Sequence, residues 1–234
     1  MYHQKVGLDE PSLEDDLSEV SDGIAIEDGF WGINGGAKRA VDVLMSLLAL
    51  VFLAPLMLLV FVAIKCDGGG AFYVQSRVGR GGKLFRMYKF RTMHTNAEAV
   101  LQRLLETDDD ARAEWNRFQK LRNDPRVTRI GRFLRASSID ELPQLFNVLK
   151  GNMSIVGQRP ILAHQRAAYG RHIDGYELAR PGITGLWQVK GRNRLSFEQR
   201  AALGTDYVSR WTLGRDLWIL LLTVPALLSS TGAY

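Results

Sequence analysis

Cysteine is almost absent from the 234 residues: Cys66 stands alone. That excludes an intrachain disulfide and a thiolate metal cluster, and leaves Cys66 to read as a small apolar filler. The opening stretch has little positive charge, with only Lys5 against nine acids in residues 1–29. It also lacks the basic-then-apolar order of a signal peptide, so none is expected. Large apolar residues are scarce there too, and 1–29 reads as a disordered acidic tail. There is no internal repeat and no low-complexity tract. A phosphate-loop fingerprint is missing as well: around Gly79-Arg80-Gly81-Gly82-Lys83 its first glycine would fall on Arg77, and Leu84 stands where Ser or Thr is required. Those glycines are left to turn geometry.

Positive charge is plentiful elsewhere. Positions 30–234 carry 29 basic and 16 acidic residues, a formal +13 against +5 for the whole chain. Such a surface attracts phosphate on nucleic acid, anionic lipid or a nucleotide. The basic residues are spread out and no groove-reading or base-stacking module is present, so nucleic acid is not the expected partner.

One apolar run has no charge between Val43 and Ile64. As a straight helix it would reach roughly 33 Å, just enough to span a bilayer. Pro55 interrupts it and would kink it by removing a backbone hydrogen bond. Lys38-Arg39 before it and Lys65 after it make both flanks basic, which gives neither end a reason to cross. A helix broken at Pro55 that enters and leaves by one face fits both facts; a kinked spanning helix is the alternative. Asp42 at its mouth reads as a helix-start or interfacial residue. Trp211–Leu228 is a second, interrupted apolar segment, where Trp211, Leu217, Trp218, Leu220 and Leu221 suit either an interfacial face or a core helix.

Between these segments, Ala71–Val78 and Lys83–Arg91 read as a β-hairpin. A long charged helix is expected from about Asn96 to Leu121. Asp140-Glu141 is the one adjacent acidic pair at a helix start in basic surroundings, with the helix continuing to Lys150 and stopping at Gly151. The structural reading is a capping box, Ser138-x-x-Glu141, with acids favoured by the helix dipole. The chemical reading gives the two carboxylates different jobs, one attacking phosphorus and the other holding Mg²⁺ together with substrate phosphate oxygens. Arg135 and Arg159 would then clamp a diphosphate. Lys89-Phe90-Arg91 adds two close cations, though such a pair is also common at a solvated edge.

The blocks Asp124-Pro125-Arg126-Val127-Thr128, Leu134-Arg135, Asp140-Glu141-Leu142-Pro143-Gln144-Leu145, Asn147-Val148 and Gly151 resemble the bacterial sugar transferases, the monotopic phosphoglycosyl transferases. Lys38-Arg39 with Asp42, Pro55-Leu56, Gln75–Gly79, Lys89–Met93, Arg159-Pro160, Arg180–Val189 and Gly191-Arg192-Asn193 extend the resemblance from Lys38 to the C-terminus. It is strongest to the short members that start exopolysaccharide with galactose or glucose. The resemblance implies a mainly α fold with a small β-hairpin, with a re-entrant helix bent at Pro55 and amphipathic interfacial helices around a cytoplasmic catalytic domain. The organisation expected is a tail at 1–29, a membrane region at 30–66 and a catalytic domain at 67–234.

It also implies Asp140 as nucleophile and Glu141 as the magnesium partner, with Asp140 close enough to share the metal. Arg135, Arg159, Lys89 and Arg91 become the candidates for binding substrate phosphate. The implied reaction moves hexose-1-phosphate from a UDP-sugar to undecaprenyl phosphate through an aspartyl phosphosugar, releasing UMP. Its place would be the cytoplasmic face of the bacterial inner membrane, among membrane lipid, and a homodimer is plausible. A non-catalytic membrane scaffold is the rival reading. Four positions depart from the family pattern: Ala54, Asn152, Gln158 and Gly204.

Overall fold

The computed structural model describes residues 32–118, 121–191 and 195–228, and helix dominates them. The acidic tail, Arg192-Asn193 and the last residues lie outside the described residues. The apolar run forms one helix, α1 (Gly36–Cys66), continuous through Pro55 rather than divided there. Its buried residues come in two groups at four-residue spacing, Lys38, Asp42 and Ser46 near the start, and Val60 and Ile64 near the end. Between them the helix is bare, with Val51 and Phe52 exposed.

The two ends are held by different physics. At the end, Val60 and Ile64 join Ala71, Phe90 and Leu134 in an apolar cluster, each large side chain contributing roughly 1.5–3 kcal/mol by burial. At the start, Lys38 Nζ pairs with Asp42 at 3.2 Å and with Asp216 at 2.7 Å, all three buried. Asp42 also accepts from Ser154 Oγ and the Ile155 amide, and Asp216 accepts from Tyr207 Oη at 2.6 Å. Arg39 donates to the Val148 and Leu149 carbonyls. Asp42 is therefore an internal tether and not an interfacial residue. The Lys38-Arg39 flank is also committed to packing, which weakens its use as a topology signal. Cys66 is exposed at the helix end and fills no core.

The hairpin forms as expected, β1 (Phe72–Val78) against β2 (Leu84–Phe90). The charged stretch after it is two helices, α2 (Ala97–Thr107) and α3 (Asp109–Phe118). Asp108 separates them because it is extended and its carboxylate accepts from the Ala111 amide, starting a new helix. Then come α4 (Arg129–Ser137), a single 3₁₀ turn at Ile139–Glu141, and α5 (Gln144–Leu149).

A second small sheet is parallel, β3 (Ser154–Val156) with β4 (Gly182–Thr184), flanked by α6 (Ile173–Leu178) and α7 (Leu186–Lys190). The last two helices are α8 (Phe197–Ser209) and α9 (Leu213–Leu228). Helix α9 divides its faces: Ile219 and Asp216 are buried, while Leu217, Trp218 and Leu221 are exposed. The core of this half gathers Val156, Trp187, Leu203, Tyr207 and Ile219.

Candidate active site

The hairpin supplies one wall of a cleft. Directly paired residues in an antiparallel sheet point to the same face, so Tyr73 with Lys89, Gln75 with Met87, and Arg77 with Phe85 share one side. Arg77, Met87 and Lys89 from that side line a cleft opposite Glu141 and Gln144, closed by Arg159-Pro160 and Gly182-Ile183. Close backbone approach brings the last two pieces together. A Cβ on Gly182 would collide with the Gly157 backbone, and one on Gly185 with the Gly157 carbonyl. Only glycine lets the strand ends touch here.

The acidic pair is presented differently from the capping-box expectation. Ser138 has left-handed backbone (φ 57°) and caps the end of α4, its amide donating to the Arg135 carbonyl. Its side chain makes no cap bond to the turn that follows. Asp140 and Glu141 sit in that turn, with helix α5 beginning only after Pro143. Their carboxylates are thus free of helix capping. A residue other than glycine in left-handed backbone costs on the order of 1 kcal/mol, a strain located two residues from the pair. Helix α4 is set against the segment just after β2 by Gly131, where a Cβ would overlap the Thr92 carbonyl.

Lys89 Nζ lies 2.5 Å from Glu141 Oε1 and 3.6 Å from Asp140 Oδ2, bridging the two carboxylates. Burial pushes the Asp140 carboxyl above the usual aspartate range; Glu141 adds to the rise, while Lys89 and Arg135 oppose it. Burial would also raise Glu141, but Lys89, Arg159 and Arg77 outweigh it and hold that carboxyl below the usual range. Two adjacent acids driven apart in this way are suited to separate roles. Burial and the neighbouring Arg159 lower Arg77 to about 10, and its Nε has no partner among the described residues.

Of the residues singled out from sequence, Asp140, Glu141, Lys89 and Arg159 come together. Arg135 stands beside Asp140, its Nε donating to Thr92 Oγ1 at 2.9 Å. Arg91 lies apart: its guanidinium donates to the Ile64 and Gly68 carbonyls and fastens the end of α1. Sequence reasoning missed Arg77 as a cleft residue. The signal was the period-two run Tyr73, Gln75, Arg77, which marks one polar strand face. Gln158 and Gly204, two separate departures from the family pattern, prove to be neighbours. The Gln158 amide occupies the space a Cβ on Gly204 would need, so each accommodates the other.

The donor set suits a magnesium ion. Lys89 already shows that one positive centre can reach both carboxylates. Among the described residues no group of three or more His, Cys, Asp or Glu could form a full protein cage. The remaining ligands would come from substrate phosphate and water, the usual magnesium arrangement.

The family model described as bacterial sugar transferase matches residues 33–230. The undecaprenyl-phosphate galactose phosphotransferase of Salmonella typhimurium is 49% identical over 197 residues, covering 84% of this chain and 41% of that protein. The exopolysaccharide production protein ExoY of Sinorhizobium fredii is 46% identical over 203 residues, covering 86% of this chain and 90% of that protein. A UDP-glucose:undecaprenyl-phosphate glucose-1-phosphate transferase of Caulobacter vibrioides is 44% identical over 206 residues, covering 84% and 72%. The chain thus spans less than half of the Salmonella relative and most of the other two.

Proposed function

The chain belongs to the bacterial sugar transferase family, and from that premise we propose that it transfers a hexose-1-phosphate from a UDP-sugar to undecaprenyl phosphate. The observation carrying this reading is the cleft in which Asp140 and Glu141 meet the cations Lys89, Arg77 and Arg159. Galactose and glucose are the donor sugars favoured by the names of the relatives.

In the proposed first step an Asp140 carboxylate oxygen attacks the β-phosphorus of the donor. The bond from that phosphorus to the bridging oxygen breaks, and UMP leaves with the electron pair. An aspartyl phosphosugar remains. In the second step an oxygen of undecaprenyl phosphate attacks the same phosphorus and releases the Asp140 carboxylate, giving a polyprenyl diphosphate sugar. Dividing one displacement into two lets a single cleft serve substrates that arrive from water and from lipid. Lys89 steadies the carboxylates and the incoming phosphate, and Arg159 with Arg77 meets the diphosphate charge. Glu141 and Asp140 are the residues that would hold Mg²⁺, which when bound neutralises phosphate charge.

The proposed anchor enters and leaves by the cytoplasmic face of the inner membrane. Support comes from α1 itself: both ends rest on the domain that carries the cleft, while the middle around Pro55 is bare. Labelling of single cysteines on either side of α1 in intact cells tests it, and an N-terminus found outside the cytoplasm would refute it.

Lipid-dependent UMP release from UDP-galactose or UDP-glucose, with Mg²⁺, tests the reaction. Wild type is expected to release UMP and Asp140→Asn to lose that release. An Asp140→Asn enzyme of full activity would remove Asp140 as nucleophile, and a wild type inert with both donors would favour a scaffold.

A further inference from the structure

The cations of the cleft continue past the residues given roles above. Helix α8 runs beside the segment that carries Arg159: Tyr207 Oη donates to the Val156 carbonyl at 3.1 Å, and Gly204 meets Gln158. One turn before Gly204 on the same helix lies Arg200. Its guanidinium carbon stands 4.9 Å from the Trp187 ring centroid, and that of Arg159 stands 5.9 Å from the same ring. Two guanidinium groups thus share one indole, and no carboxylate among the described residues pairs with either.

Arg200 donates through Nε to the Leu195 carbonyl at 3.1 Å, and its two terminal nitrogens have no partner among the described residues. Arg159 is exposed and has no described hydrogen bond or ion pair. Arg159 lines the cleft with Arg77, Lys89 and Glu141, and the shared Trp187 ring sets Arg200 next to Arg159, so Arg200 extends the cations of the cleft beyond Arg159. Two like charges, Arg159 and Arg200, gathered on one ring with no carboxylate paired to either among the described residues are stabilised by an anion. Arg77, Lys89, Arg135, Arg159 and Arg200 against Asp140 and Glu141 leave a surplus of positive charge, which suits the phosphates of a nucleotide.

We infer that Arg200 binds the phosphate of the departing nucleoside monophosphate, at the end of the cleft away from Asp140. The inference rests on the reaction proposed above, which places the attacked phosphorus beside Asp140 and the leaving phosphate beyond it. Arg200 is a binding residue for the donor and the nucleotide product, and plays no part in acceptor binding.

Calorimetric titration of UMP and of uridine into the detergent-solubilised full chain tests it, with steady-state kinetics alongside. Arg200→Gln is expected to weaken UMP about tenfold, the loss of one charged phosphate contact, and to leave uridine unchanged. The KM for the UDP-sugar should rise while that for undecaprenyl phosphate stays put. Arg200→Lys, which keeps the charge beside Trp187, should recover part of the UMP affinity. Unchanged UMP affinity in Arg200→Gln overturns the inference, and so does an equal loss for UMP and uridine, because that loss would not be a phosphate contact. A wild type that neither binds UMP nor releases it from a UDP-sugar defeats the reaction itself, a result distinct from either.

Discussion

Replacing Lys89 by Met removes the cation that bridges the acidic pair while keeping a side chain of similar length. Unit charges 3.6 Å apart, as Lys89 and Asp140 are, attract by about 4–5 kcal/mol at an effective dielectric of about 20. Their side chains keep 19% and 11% exposure, so solvent screening reduces this to about 2 kcal/mol. The sign follows from the environment. Burial raises the Asp140 carboxyl and Lys89 opposes the rise, so its loss lets the pKa climb further. In the reaction proposed above Asp140 attacks only when ionised, so the rising limb of kcat/KM for UMP release should move to higher pH. The assay is the pH–rate profile of the variant normalised to its own plateau. A rate that falls uniformly with the limb unmoved would refute the electrostatic reasoning and leave Lys89 as a phosphate contact alone.

Two further outcomes follow from the anchor. Lys38→Met strands Asp42 and Asp216 in the interior; both keep hydrogen bonds, so the cost should lie near the lower end for a broken buried pair, about 3 kcal/mol, read as a fall in denaturation midpoint in detergent. An undiminished midpoint would mean that the charges are not buried in solution. Phe52→Arg changes a side chain that is 83% exposed and should leave folding in detergent intact. A charge deep in the bilayer costs about 2.5–3.5 kcal/mol, so association with liposomes measured by flotation should fall on the order of a hundredfold. Undiminished flotation would place Phe52 outside the bilayer.

The hairpin, the long apolar helix and the neighbourhood of the acidic pair were legible because each is written locally, in alternation, in an uninterrupted apolar run and in neighbouring carboxylates. Details that depend on distant residues were not. A capping box at Ser138 satisfies every local rule, yet Ser138 is taken as the left-handed end of α4 and its side chain makes no cap for the turn that follows. The charged stretch from Asn96 has helical composition throughout, and the break at Asp108 comes from one carboxylate choosing the Ala111 amide. Lys38 and Asp42 looked like membrane flank because Asp216, the residue that makes them interior, lies far along the chain. Arg200 had no local mark at all, since its setting is made by Trp187 and Arg159 from other elements.

The Lys38–Asp42–Asp216 tether also bears on how the chain is made. Lys38 and Asp42 emerge early in synthesis, and Asp216 follows only after most of the catalytic module has been produced. At about 5–20 residues per second, that interval lasts on the order of ten to thirty seconds. Through it Lys38, at the start of α1, has Asp42 but lacks its second carboxylate partner. Helix α1 can form during this time, but its start is closed onto the rest of the fold only when α9 brings in Asp216. Closing the start of α1 onto the fold is thus a late event, and a ribosome halted before Asp216 would leave Lys38 paired with Asp42 alone.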